Sequence, residues 1–280
     1  MVSKLSTQSI KKNQLVLIGV CSDDNSSFKK GPAAAPPLIR KALYNGSANL
    51  SAENGISLAN NHRFIDIGDI NVGPSVEEFM GIEQHLVDVL ERGGIPLTLG
   101  GDHAITYPLI KAMARYHQPF SILHFDAHPD LYDELEGNRL SHACPFARIM
   151  EDSLVTRLIQ VGIRTLNDHQ KAQIERFSVE SFDMINFDPK SFKPNLKGPV
   201  YISFDLDALD PAFAPGVSHF EPGGLTVRDV LGIIQKIDVP IIGADIVEYN
   251  PTQDINGMTA MVAAKLLKEI GGMILKSNPE

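Results

Sequence analysis

Eight short apolar runs decide what this chain can fold into. Seven are "QLVLIGV" (14–20), "RFIDIGD" (63–69), "IPLTLG" (95–100), "FSILHFD" (120–126), "RLIQVGI" (157–163), "VYISFD" (200–205) and "VPIIGADI" (239–246); "RFSVES" (176–181) is a weaker eighth. Most are continuous rather than alternating. A strand with one wet face alternates polar and apolar residues, whereas a strand covered on both faces does not. Amphipathic stretches lie between the runs. "SVEEFMGIEQHLVDVLERGG" opens on Ser75, which reads as an N-cap, and closes at Gly93-Gly94. "LTVRDVLGIIQKI" has Thr226 as N-cap with Asp229 three residues on, a variant of the capping box. The last helix sets Met258, Val262, Leu266, Ile270 and Met273 on one stripe. This alternation predicts an α/β fold of three layers, α/β/α, around a mostly parallel sheet of about eight strands.

No Pro/Gly/Ser-rich linker and no charge block divides the 280 residues, so residues 1–280 read as one domain. The opening "MVSKLSTQSIKKNQ" is basic and hydroxyl-rich, like the start of a transit peptide. The first strand follows almost at once, and residues 1–13 read instead as a flexible tail. A net charge of -9 argues against nucleic-acid and anionic-membrane partners, which need a basic patch. No apolar run is long enough to cross a bilayer. Cys21 and Cys144 make neither a disulfide framework nor a thiolate metal site. They point to a reducing compartment, and the cytoplasm is the expected location.

Ligands of open α/β sheets bind beyond the carboxyl ends of the strands. At those ends fall Asp102-His103, "DAHPD" (126–130), "DLD" (205–207) and "DIVE" (245–248). In extended chain every second side chain shares a side, about 6–7 Å from the next. Asp126, His128 and Asp130 can therefore converge on one small volume. Asp205 and Asp207 can join them from a second strand and His103 from a third. Four carboxylates so placed repel, and either protons or cations must compensate. Two divalent ions cancel the four charges. Oxygen ligands with two imidazoles suit Mn²⁺, with Zn²⁺, Co²⁺ or Ni²⁺ as alternatives. Two metals about 3.5–4 Å apart generate hydroxide at neutral pH and orient its attack. Any one fragment is weak, because an Asp at a strand end is usually a cap or turn residue. Compatible ligands from three strand ends are a stronger signal.

"LGGDH", "DAHPD", "SFDLDALDPAFAPG" and "DIVEYNP" resemble the ureohydrolases: arginase, agmatinase and their relatives. The resemblance runs from "NSSFKKGPAAAPPLIR" to the final helix. "LYDELEGNRLSHACPFARIME", "DPAFAPGVSHFEPGGLTVRDVL" and "NGMTAMVAAKLL" resemble plant-type arginases and the bacterial sequences like them. The resemblance implies an arginase-like fold and two Mn²⁺ per subunit. It assigns His103, Asp126, Asp130 and Asp205 to one ion, and Asp126, His128, Asp205 and Asp207 to the other. It implies that His142 is a proton shuttle at the mouth, that Glu248 grips a guanidinium, and that the chain forms homotrimers or homohexamers. Asp130 would pass a proton to the leaving amine.

The implied reaction converts L-arginine to ornithine and urea, or agmatine to putrescine and urea, with arginine the first choice. These substrates differ by one α-carboxylate. Asn138, Arg139, Ser141 and His219 are the candidates to meet it. Asp102, Asp210 and Asp245 read as ligand-orienting or as turn residues, His124 as a core residue and Cys144 as a packed thiol. Two other readings are a single-zinc deacetylase of the related fold, which needs neither Asp207 nor His103, and a non-enzymatic family member.

Overall fold

All eight apolar runs contribute strands to one sheet in the computed structural model, which describes residues 7–279. The strands are β1 (Leu15–Cys21), β2 (Phe64–Asn71), β3 (Ile95–Leu99), β4 (Ser121–Phe125), β5 (Arg157–Ile163), β6 (Glu180–Asp183), β7 (Val200–Asp205) and β8 (Ile241–Val247). Every pairing between them is parallel, so the sheet is more uniform than expected. The weak eighth run is displaced. Arg176 and Phe177 finish a helix, Ser178 turns left-handed (φ 54°) to end it, and β6 starts only at Glu180.

The helices are α1 (Ala35–Tyr44), α2 (Val76–Met80), α3 (Ile82–Leu90), α4 (Thr106–Ala114), α5 (Pro145–Glu151), α6 (Asp168–Phe177), α7 (Val227–Ile234) and α8 (Met258–Ser277). Helices α1, α7 and α8 bury Ile39, Val230 and Leu266 in one apolar cluster on one face of the sheet. On the other face α3, α4 and α5 bury Leu86, Leu109 and Phe146 in a second. Burying such a side chain contributes about 1.5–3 kcal/mol. The expected capping box of Thr226 with Asp229 forms, and Ser75, expected as an N-cap, makes a full capping box with Glu78. Of the α8 stripe, Leu266, Ile270 and Met273 are buried, while Met258 at the first turn is exposed.

Residues 1–6 of the expected tail lie outside the described residues. Within the remainder, Thr7–Ser9 form a 3-10 turn, and Ile10 is buried with Val16 and Val89. Among the described residues no helix is long and apolar enough to cross a membrane.

The strand order is β2-β1-β3-β8-β7-β4-β5-β6. After β3 the chain skips two strand positions to lay down β4, and β7 and β8 later fill that gap. The order thus reverses within the central four strands, β3-β8-β7-β4. A crevice opens at such a reversal, beyond the carboxyl ends of the strands. His103 follows β3, Asp126 follows β4, Asp205 ends β7 and Glu248 follows β8.

Candidate metal centre and active site

His103 and His128 each point one ring nitrogen into a ring of carboxylate oxygens. His103 Nδ1 lies 3.2 Å from Asp126 Oδ2, 3.1 Å from Asp130 Oδ2 and 3.1 Å from Asp205 Oδ2. His128 Nδ1 lies 3.2 Å from Asp126 Oδ1 and 3.2 Å from Asp207 Oδ2. Asp126 therefore turns one oxygen to each imidazole. All six residues expected from the strand-end motifs meet in one place. The turns that bring them there are tied by backbone donors: Asp207 N–H to Asp205 Oδ1 (2.8 Å), Ala127 N–H to Asp207 Oδ1 (3.1 Å) and His128 N–H to Asp126 Oδ1 (2.6 Å).

The hydrogen-bond partners of His103 set its proton. Ser203 donates its hydroxyl to Asp245 Oδ1 at 2.8 Å, so its oxygen accepts from His103 Nε2 at 3.0 Å. Asp245 Oδ2 is held by the hydroxyls of Tyr201 (2.9 Å) and Thr106 (3.0 Å). In the neutral ring the lone pair of His103 is then on Nδ1, a fully buried atom with no hydrogen bond. That lone pair and three carboxylate oxygens face one point. Such an arrangement of acceptors fits a cation at their centre.

The acidities carry the same message. Burial pushes Asp205 well above the usual carboxylate range, and the charges of Asp207 and Asp126 add to it. Asp207 is also raised, by burial first and by Asp126, against the opposing pull of His128. Burial acts upward on Asp126 too, but the imidazoles of His103, His124 and His128 around it outweigh burial and hold this carboxyl well below the usual range. The carboxylates cannot all ionise without compensation: against the opposing effect of burial they raise the imidazoles of His103 and His128 well above the usual range, and a bound cation can take over that role.

His124 is more than the core residue the sequence suggests. It is fully buried, yet Gln160 donates to its Nδ1 at 3.0 Å, so its Nε2–H is the group 2.9 Å from Asp126 Oδ2. His124 thus spends its proton on orienting a carboxylate, although its nitrogen lies close enough to His103 and Asp126 for a metal site. Counting in twos from Asp126 places His124 on the same side, a signal the core reading overlooked. The same count links Ser203 to Asp205. The tight turn after β3 also explains a glycine: a Cβ on Gly101 would lie 1.6 Å from the Ser22 carbonyl oxygen.

A pocket of about 530 Å³ opens over this cluster, and Asp130, His142, His219 and Glu248 are among its walls. Glu248 Oε1 accepts from the His103 backbone N–H at 2.9 Å and lies 2.9 Å from His142 Nδ1. Burial tends to lower the pKa of His142, but the adjacent Glu248 carboxylate raises it to about 9, above the free value of about 6.5. Glu248 is correspondingly lowered, the charge and hydrogen bond of His142 overcoming burial. His219 packs its ring 5.5 Å from His142 and 5.7 Å from His128.

The other candidates for a carboxylate contact are turned elsewhere. Arg139 pairs with Glu151 at 3.0 Å, Asn138 donates to Asn25 at 3.0 Å, and Ser141 accepts from Ala143 N–H at 3.4 Å; none lines the pocket. Arg164, which the motifs did not single out, does line it. Its guanidinium is committed to the backbone carbonyls of Glu221, Asp207, Gly162, Ala208 and Leu209 at 2.6–3.3 Å. Asp210 accepts from the N–H groups of Ala212, Gly223 and Gly224, as a turn residue does. Cys144 is buried, and burial raises its thiol to about 12, which leaves it inert.

The chain is similar to known proteins over most of its length. The chain is 48% identical over 276 residues to "Arginase 1, mitochondrial" of Arabidopsis thaliana, covering 93% of this chain and 81% of that protein. It is 46% identical to "Arginase 2, chloroplastic/mitochondrial" of the same plant (95% and 82% covered). Identity to "Agmatinase, mitochondrial" of Gallus gallus is 35% (90% and 78% covered). A solved structure, "Arginase from Medicago truncatula", superposes with a TM-score of 0.87 at 40% identity, covering 93% of this chain and 87% of the other. The organellar names of these arginases overturn the expected cytoplasmic location. Two free cysteines report only a reducing milieu and cannot distinguish one such compartment from another. The description "Arginase family" matches residues 13–272, which make up nearly all of the layers and strand ends described above, and the chain is a hydrolase belonging to that family.

Proposed function

We propose that the chain is a dinuclear manganese hydrolase that converts L-arginine to ornithine and urea. The observation that carries this reading is the cluster of carboxylates around two imidazole nitrogens, with Asp126 facing both. His103, Asp126, Asp130 and Asp205 would hold one ion; Asp126, His128, Asp205 and Asp207 would hold the other. Hard oxygen donors with two imidazoles suit Mn²⁺. When bound, the ions supply hydroxide at neutral pH and offset the charge that develops on the attacked carbon's substituents.

The chain's own residues do the rest. Both bonds to Glu248 fall on Oε1, which leaves Oε2 to take a guanidinium N–H. Asp130, in the pocket wall and among the ligands, passes a proton to the leaving amine. Glu248 favours the charged ring of His142, which gives up a proton, passes through its neutral form and is restored from solvent. The functional unit is a homotrimer or homohexamer. Arginine is favoured because the chain is nearly half identical to a plant protein named arginase.

Agmatine is the second reading, and one observation favours it. Apart from histidines, Arg164 is the sole cation among the described lining residues, and its donors are already taken. A buried carboxylate without a partner costs several kcal/mol, and agmatine brings none. The test is urea release by the manganese-loaded protein from arginine, agmatine and simple guanidino acids, with metal analysis alongside. One metal per subunit and no urea from any guanidino compound would overturn the proposal and return the single-zinc alternative.

A further inference from the structure

His142 is held at three points, and two of them belong to the loop that follows β1. Its backbone N–H donates to the Asn25 carbonyl at 3.0 Å. Its Nε2 lies 2.8 Å from Ser27 Oγ, and its Nδ1 reaches Glu248. The loop is itself clamped by buried Asp102. Asp102 Oδ2 accepts from the Asn25 N–H at 3.0 Å and from the Ser26 hydroxyl at 3.3 Å. Its own N–H donates to the Ser22 carbonyl at 2.9 Å.

The proton positions follow from the partners. A carboxylate only accepts, so Glu248 requires the proton of His142 on Nδ1. In the neutral ring Nε2 then carries a lone pair, and the Ser27 hydroxyl donates to it. In the charged ring Nε2–H donates to Ser27 Oγ instead. A serine hydroxyl serves both states by rotating. Alanine serves neither, and the ring is then free to turn away from Glu248.

We propose that Ser27 is a positioning residue that, braced through its loop by Asp102, locks the ring and tautomer of His142 against Glu248. This rests on the proposal that His142 moves protons in the reaction. Ser27 also lines the pocket, so a direct contact with substrate is the competing explanation that the experiment must separate.

The experiment is a double-mutant cycle on the manganese-loaded enzyme, using Ser27→Ala, Ser27→Thr, His142→Ala and the Ser27→Ala/His142→Ala pair. Metal content and circular dichroism are recorded for each. A displaced catalytic group costs on the order of tenfold to a hundredfold. Ser27→Ala is expected to lower kcat by about tenfold with KM within about twofold, and Ser27→Thr to recover most of that loss. The pair is expected to be no slower than His142→Ala alone, because residues that act through one another are not additive. The pH profile of kcat should shift in Ser27→Ala, because the ring has lost the partner that serves both its charged and its neutral form, whereas loss of a substrate contact alone would not move it. If that variant does not fold, Ser27→Cys, which keeps the volume but donates weakly, replaces it. An equal loss from Ser27→Ala in both backgrounds, or none at all while His142→Ala is slow, overturns the proposal. Full turnover in His142→Ala would remove the role of His142 itself, and this proposal with it.

Discussion

Replacing Ser203 with alanine tests the metal centre from behind. The hydroxyl sits between His103 Nε2 (3.0 Å) and Asp245 Oδ1 (2.8 Å), and all three side chains are fully buried. Its removal leaves the His103 N–H without an acceptor and one Asp245 oxygen without a donor. The damage stays local, because Tyr201 and Thr106 still hold Asp245 Oδ2. The imidazole is then free to take the other tautomer, whose Nδ1–H would point at the three carboxylates in place of a lone pair. A hydrogen bond to a charged group contributes about 1.5–3 kcal/mol. Loss of a hydrogen bond that orients a metal ligand costs about 10–100-fold in affinity, or about 1.4–2.8 kcal/mol. The two scales agree. Only the ion held by His103 should weaken, since Ser203 touches none of His128, Asp207 or Asp126. Manganese titration of the metal-stripped protein by calorimetry should therefore show one step weakened and one unchanged, with Ser203→Thr close to wild type. Equal weakening of both steps, or of neither, refutes the reasoning.

Asp126→Ala or Asp205→Ala is expected to release both ions and abolish urea production, because each carboxylate is proposed to serve both; two Mn²⁺ per subunit with normal turnover would remove the shared assignment. His142→Ala is expected to lower kcat on the order of a hundredfold with metal content intact, and loss of one metal equivalent would make it a ligand instead. Arg164→Ala strands the backbone carbonyls that its guanidinium now satisfies, at about 1–3 kcal/mol for each buried acceptor left unpaired, so the melting temperature should fall. An unchanged melting temperature with a raised KM for arginine alone would show that Arg164 holds the substrate carboxylate.

The sheet was legible because strands covered on both faces leave uninterrupted apolar runs. The helices were less so. The stretch from Ser75 to Gly93-Gly94 reads as one helix, but Gly81 closes α2 and opens α3. Helix α6 turns Gln170 and Gln173 inward, and they bond the backbone of Leu131 at 3.2 and 2.9 Å. An apolar period cannot reveal such a face. The metal-ligand candidates were legible because alternate positions of extended chain share a side. That same count reached His124 and Ser203, whose residue types alone suggested core and strand. No local pattern could assign Ser27, whose partner His142 lies 115 positions further along the chain. Nor could any reveal that Arg139 turns to Glu151, a pairing fixed by the packing of α5.

Two of the site's carboxylates sit where the backbone is least relaxed. Asp130 has a φ of 51° and Glu248 one of 63°, left-handed values that side-chain-bearing residues rarely adopt. Each such residue costs about 1–3 kcal/mol and persists only where its surroundings fix it. Both are fixed. The Asp130 carbonyl accepts from Phe146 N–H at 3.2 Å, which ties the kink to the first turn of α5, and Glu248 N–H donates to the Gly101 carbonyl at 2.9 Å. The kinks matter because a strand continued in regular extension would carry the chain away from the crevice. Turning left-handed lets β8 deliver Glu248 to His142 and the turn after β3. It also lets the segment after β4 fold Asp130 back to within 3.1 Å of His103. Glycine would relieve the strain at either position, but it has no carboxylate to offer. The conformation and the charge are needed together, and the hydrogen bonds from neighbouring elements hold both in place.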